Sequence, residues 1–129
     1  MKKYLTAGLL LLFCVCFKGE AQNQVSKSNT SFMIRHTVVF KLKHSKGSAE
    51  EKVFLDAIQK LSAIPGVRNF ELLRQVSKKN KYDFGLSMEF ESVKAYDSYS
   101  NHPDHNAFVQ KYWVNEVADF MEIDYEPYK

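Results

Sequence analysis

Cysteine is scarce in this chain, and both of its residues, Cys14 and Cys16, sit near the start. A domain that begins beyond them carries no thiol, which excludes disulfides, cysteine nucleophiles and thiolate-bound metals from the folded part. Proline (3 residues) and glycine (5 residues) are few, so collagen-like and linker-rich architectures are ruled out. Long hydrophobic runs are also missing. Leu5–Phe17 is uncharged and mostly apolar but spans only thirteen residues, whereas a helix that crosses a bilayer needs about 20.

What is there suits one globular domain. The chain has 129 residues, 45% hydrophobic and 26% charged, enough for a single core and too ordered in composition for wholesale disorder. Its start differs from the rest. Lys2 and Lys3, the apolar Leu5–Phe17 and the small-x-small exit Gly19-Glu20-Ala21 form the pattern of a secretory signal peptide. Cleavage is expected after Ala21, giving a periplasmic or secreted protein with no stable membrane insertion. A retained anchor and a lipoprotein are the alternatives, although Phe13 and Val15 precede the cysteines where a lipoprotein signal has a small residue. Residues 22–31 (QNQVSKSNTS) are polar without apolar period and read as a flexible tether, so the domain is expected at 32–129.

Removal of residues 1–21 changes the charge. The whole chain has 18 Lys and Arg against 15 Asp and Glu, an excess of +3, and an isoelectric point near 8.8. Loss of Lys2, Lys3 and Lys18 with Glu20 leaves +1. A near-neutral balance suggests no nucleic acid as partner.

Periodicity sets the fold. In 32–43, Ile34, His36, Val38, Phe40 and Leu42 alternate with Arg35, Thr37, Lys41 and Lys43, the signature of a half-buried strand. Ser48-Ala49-Glu50-Glu51 is a capping box whose serine accepts from the third N–H while Glu51 reaches back. The helix it opens carries Phe54, Ile58 and Leu61 on one stripe, and Pro65-Gly66 stops it. Strands are expected at 67–76, with Phe70, Leu72 and Val76 inward, and at 82–90, with Tyr82, Phe84, Leu86, Met88 and Phe90 inward; the lysine-rich turn 78–81 joins them as a hairpin. Ser92 caps a short helix through Tyr99, Pro103 opens another over 104–117, and 120–125 returns as a strand. The order β-α-β-β-α-α-β is that of a ferredoxin-like α+β unit with a four-stranded antiparallel sheet. Its far face is expected to hold Arg35, Thr37, Lys41, Glu71, Asp83, Ser87, Glu89, Glu122 and Asp124, with Val39, Leu73 and Phe120 among them. Such a face is either solvated or the contact of a symmetric homodimer.

Chemistry rests on histidine and tyrosine. His44 reads as a surface residue. His36 points between sheet and helices, either as a satisfied core histidine or as a pocket group. His102-Pro103-Asp104-His105 opens a helix, with Tyr99 one turn before it. The positive end of the helix dipole favours neutral imidazole, the form a general base needs, and a nearby tyrosine can orient it. His102 is more simply a helix cap. The His-x-x-His spacing alone is weak support for a metal, and neither metal nor cofactor is expected. Trp113, Phe54, Phe84, Phe90, Phe108 and Tyr112 read as core.

Residues 33–43 (MIRHTVVFKLK), Ile64-Pro65-Gly66-Val67, Tyr82-Asp83-Phe84, Phe90-Glu91-Ser92, residues 99–105 (YSNHPDH) and Asp124-Tyr125 together resemble the stress-responsive A/B-barrel (Dabb) domains over about 33–127. The resemblance implies a dimeric α+β barrel. The relative best understood by its chemistry is a plant polyketide cyclase that makes olivetolic acid, in which a histidine of the His-Pro-x-His motif is the base and a tyrosine one turn earlier supports it. Those positions match His105 and Tyr99, and a pocket histidine of the first strand matches His36. A further histidine of the cyclase falls at Phe84, which makes this pocket more apolar. The expected protein is thus an exported, dimeric Dabb domain that holds a small, partly apolar molecule. Any reaction is expected to be cofactor-free proton transfer, with His105 as base, Tyr99 orienting it or stabilising an enolate, and His36 holding a carbonyl oxygen. Two alternatives remain: a non-enzymatic ligand-binding or interaction protein of the cell envelope, and a haem- or quinone-related monooxygenase of the same superfamily.

Overall fold

The computed structural model describes residues 34–128. The leader, the tether and both cysteines lie outside them. Strand β1 (Ile34–Leu42) is followed by helix α1 (Ala49–Gln59), which ends in a 3-10 turn, Lys60–Ala63. Strands β2 (Arg68–Arg74) and β3 (Phe84–Phe90) come next, then helices α2 (Val93–Ser100) and α3 (Pro103–Phe108). The latter runs on through a π turn, Val109–Trp113, and a last α turn, Val114–Glu116, into β4 (Val117–Tyr125). All strand pairs are antiparallel, in the order β2-β3-β1-β4. This is the ferredoxin-like α+β fold.

Local chemistry places each element. Ser48 Oγ accepts from Glu51 N at 3.1 Å, which starts α1. The reciprocal arm of the expected capping box is replaced, because Ser48 N donates to the Ser45 carbonyl at 3.1 Å. Gly66, at φ +90°, takes the left-handed turn that follows, a conformation open to glycine without strain. Ser92 Oγ caps α2 through Ala95 N. His102 caps α3, its Nδ1 accepting from Asp104 N at 3.2 Å, with Pro103 in the first turn where its missing N–H costs nothing.

The core lies between sheet and helices. Val38, Phe40 and Leu42 of β1, Phe84, Leu86, Met88 and Phe90 of β3, Phe54 and Ile58 of α1, Leu61, Tyr99 and Phe108 are all buried. Each large apolar side chain taken from water contributes about 1.5–3 kcal/mol before the entropic cost of ordering.

Four expectations change. Val76 is fully exposed, because β2 ends at Arg74 and the chain then leaves the sheet; Gln75 N donates to the Asp83 carbonyl at 2.8 Å to close the loop. Tyr82 precedes β3, its N–H drawn to Asn80 Oδ1 at 3.0 Å. The expected helix over 104–117 contains the π turn, and Val117 is already extended (φ −83°, ψ 126°). The largest correction concerns β4. Phe120, Glu122 and Asp124 stand opposite Phe40, Val38 and His36, and directly opposed residues share a sheet face. They therefore lie on the helix side, and it is Met121 and Ile123 that join Thr37, Val39 and Leu73 on the far face.

That far face is more apolar than expected, with Leu73, Met121, Ile123 and Tyr125 exposed. Glu89 is nevertheless buried there. Arg35 donates to its Oε1, and Asn69, set at φ +48° in the irregular start of β2, donates to its Oε2 at 2.6 Å. No helix among the described residues is long and apolar enough to cross a membrane.

Candidate functional site

The three residues expected to carry chemistry meet in one cavity. It has a volume of about 250 Å³ and lies between the sheet and α2–α3, lined by His36, Tyr99, His105 and Glu122 at one end. Val38, Ile58, Leu61, Leu86, Phe108, Val109, Trp113 and Phe120 form its apolar remainder.

His36 enters from the inward face of β1 and is 6% exposed. Its Nδ1 lies 2.8 Å from Asp124 Oδ1, so the imidazole donates from Nδ1 and turns its other nitrogen away from the carboxylate. The hydroxyl of Tyr96, on α2, donates to Asp124 Oδ2 at 2.9 Å and stands 3.3 Å from His36 Nδ1. Burial and the Asp124 carboxylate push the Tyr96 hydroxyl above its ordinary range, so it stays a donor. Glu122 Oε1 is 3.9 Å from the same nitrogen.

Tyr99 comes from the last turn of α2 and is 2% exposed. Its ring packs at 5.1 Å from Phe90, 4.6 Å from His105 and 6.3 Å from His36. Burial raises its hydroxyl well above the usual phenol range. That hydroxyl has no hydrogen-bond partner among the described residues, yet it is not sealed off, since no fully enclosed side-chain oxygen or nitrogen there lacks a partner. It opens to the cavity.

His105, in the first turns of α3, donates from Nδ1 to the Ser100 carbonyl at 3.1 Å. This leaves Nε2 with its lone pair. Burial holds the imidazole below the ordinary histidine value of 6.5, opposed by the Ser100 bond, and a neutral, oriented imidazole is what a general base requires.

The other histidines serve structure. His102 caps α3 through Nδ1, as expected from the sequence. His44 is not a plain surface residue, because its Nε2 pairs with Glu116 Oε2 at 2.7 Å. Among the described residues, one group has metal-ligating chemistry: donor atoms of His36, Glu122 and Asp124 lie within 4.8 Å of one another.

Tyr96, Glu122 and Asp124 escaped the sequence reading. Tyr96 stood three residues before Tyr99, the spacing that puts two side chains on one helix face. Glu122 and Asp124 sat in phase with Phe120, and all three were expected on the far face, as a solvated surface or a dimer contact.

Comparison with known proteins agrees with this architecture. A Streptomyces coelicolor protein is 32% identical over 99 residues, covering 73% of this chain and 99% of that one. The crystal structure of a Dabb family protein with a ferredoxin-like fold from Mesorhizobium loti is 59% identical, covers 77% of this chain and 100% of its own, and superposes with a TM-score of 0.73. A dimeric protein of ferredoxin-like fold from Bacteroides fragilis is 25% identical, covering 74% and 99%, with a TM-score of 0.59. The family model of the stress-responsive A/B barrel domain matches residues 34–127, and the chain belongs to that family, Dabb.

Proposed function

We propose that the cavity binds a small, partly apolar molecule and that His105 performs cofactor-free proton transfer on it. One observation carries this: His105 keeps Nε2 available, with Nδ1 tied to Ser100, beside a buried tyrosine hydroxyl in a cavity that is apolar apart from these two, His36 and Glu122. In such surroundings a base is desolvated and a developing oxyanion gains from each donor nearby. His105 acts as the base, Tyr99 orients it or stabilises an enolate, and His36, whose Nδ1 is tied to Asp124, holds a carbonyl oxygen through Nε2 when that nitrogen is protonated as well. The protein acts as a homodimer with its two sheets face to face; the exposed Leu73, Met121, Ile123 and Tyr125 support this, as does the dimeric Bacteroides relative. The leader is cleaved after Ala21 and the domain exported, so the mass of the exported chain should begin at Gln22.

The test is exchange of the hydrogens next to the carbonyl of hexan-2-one in D2O, followed by proton NMR. The wild-type chain should accelerate it, and His105→Ala should lose at least about 100-fold, the usual scale of general-base catalysis. Exchange at the buffer rate, with hexan-2-one still bound, would leave a non-enzymatic ligand-binding protein of the cell envelope.

A further inference from the structure

The polar end of the cavity has a one-sided hydrogen-bonding inventory. Glu122 offers carboxylate oxygens, which only accept, and His105 and neutral His36, each with Nδ1 engaged, offer the lone pairs of Nε2. The unpartnered Tyr99 hydroxyl, on a side chain 98% buried, accepts or donates as required. Among the described residues no lysine or arginine lines the cavity, and Glu122 is the one carboxylate that does. A second carboxylate, Asp124, stands just behind His36.

These groups complement a polar head rich in donors and positively charged. An ammonium has three N–H donors and no acceptor. A carboxylate or phosphate has acceptors only, would find donors at the Tyr99 hydroxyl and the Trp113 indole N–H, and would share the cavity with the Glu122 carboxylate, a like charge that repels it. The other end fixes the body of the molecule. Val38, Leu86 and Phe108 offer no polar partner and Trp113 only its indole N–H, so an alkyl or aryl group of a few carbons fills it, and aromatic faces nearby favour a cation further.

We infer that the occupant of this cavity is a small apolar amine, its ammonium held between Glu122 and Tyr99. This rests on the cavity being a ligand seat, as proposed above, and is independent of any reaction there.

Three probes of equal chain length separate the possibilities: hexylamine, hexan-1-ol and hexanoate. Binding is read from amide shifts of Tyr99, His105 and Glu122 and from the indole N–H of Trp113, the single tryptophan of the chain. Hexylamine should bind at least tenfold more tightly than hexanoate and more tightly than hexan-1-ol. Glu122→Gln, at an exposed edge strand where the fold tolerates it, should shrink the amine-to-acid ratio at least fivefold. Hexanoate binding as tightly as the amine overturns the inference, as does an unchanged ratio in Glu122→Gln. Hexan-1-ol binding best overturns the amine and leaves the ligand seat standing, whereas no response to any probe removes both. A divalent cation is the rival occupant of this end. Equimolar Mn2+ that broadens His36, Glu122 and Asp124 and abolishes the response to hexylamine would overturn the amine in favour of a metal.

Discussion

His36 and Asp124 face each other across the β1–β4 pair, and Nδ1 of one lies 2.8 Å from Oδ1 of the other. The contact ties a nearly buried imidazole to a sheet edge and sets which nitrogen faces the cavity. Asp124→Asn keeps the shape and removes the charge. It should cost about 1 kcal/mol in urea unfolding, at the low end for a charged hydrogen bond because Asp124 is partly solvated. Tyr96→Phe should cost somewhat less. The double variant should cost less than the two together, since both donors share one carboxylate. Wild-type stability in Asp124→Asn would mean that the pair does not form in solution.

The His105 ring should titrate below 6.5, followed by NMR of its carbon-bound ring protons. Burial disfavours the imidazolium more than the Ser100 carbonyl favours it. The unfolded chain therefore takes up this proton at a higher pH than the folded one. Stability should rise with pH between the folded value and 6.5, and His105→Gln should flatten that part of the curve. A midpoint above 6.5 would contradict the desolvated site.

Glu89 should register at the acid end. Burial alone would raise its carboxyl, but the hydrogen bonds from Asn69 and Arg35 and the nearby positive charges more than offset this and hold it below the ordinary 4.5. Its contribution is full above the unfolded value and is lost as pH falls through the folded one. Glu89→Gln should thus destabilise the protein at pH 7, by about 1–3 kcal/mol, and show less further loss on acidification below 4.5. An identical acid limb in the variant would count against the Arg35–Glu89–Asn69 network.

The far face of the sheet is tested by charge. Lysines at Met121 and Ile123 would sit at the centre of the proposed dimer contact and be desolvated without partners. The doubly substituted chain should dissociate at least about 100-fold more readily, roughly 3 kcal/mol, by sedimentation velocity. Sedimentation identical to wild type would leave the sheet solvated.

The inward faces of β1 and β3 were legible because apolar and polar residues alternate there over whole strands, and Phe54, Ile58 and Leu61 marked α1 by their spacing. Helix starts were legible at Ser48 and Ser92, where a single oxygen decides the cap. The phase of β4 was not. On an edge strand one neighbour sets the register, and Glu122 and Asp124 point inward yet stay partly solvated, so their polarity says nothing about direction. Val76 looked like core by its alternation alone, but the strand had ended two residues earlier. His105 and Tyr99 were found through a motif; Ser100, which engages His105 through its carbonyl, and Asp124, which engages His36 from a distant strand, carry no local mark.

The π turn at Val109–Trp113 closes its backbone bond from Val114 N to Val109 O, one residue longer than an α turn, and both of its end residues line the cavity. Chain length at this point, rather than side-chain identity, therefore sets how the apolar wall is presented. Deleting one residue here would convert the π turn to an α turn and turn Val109 and Trp113 relative to each other, a change in the wall made without altering any side chain that lines it.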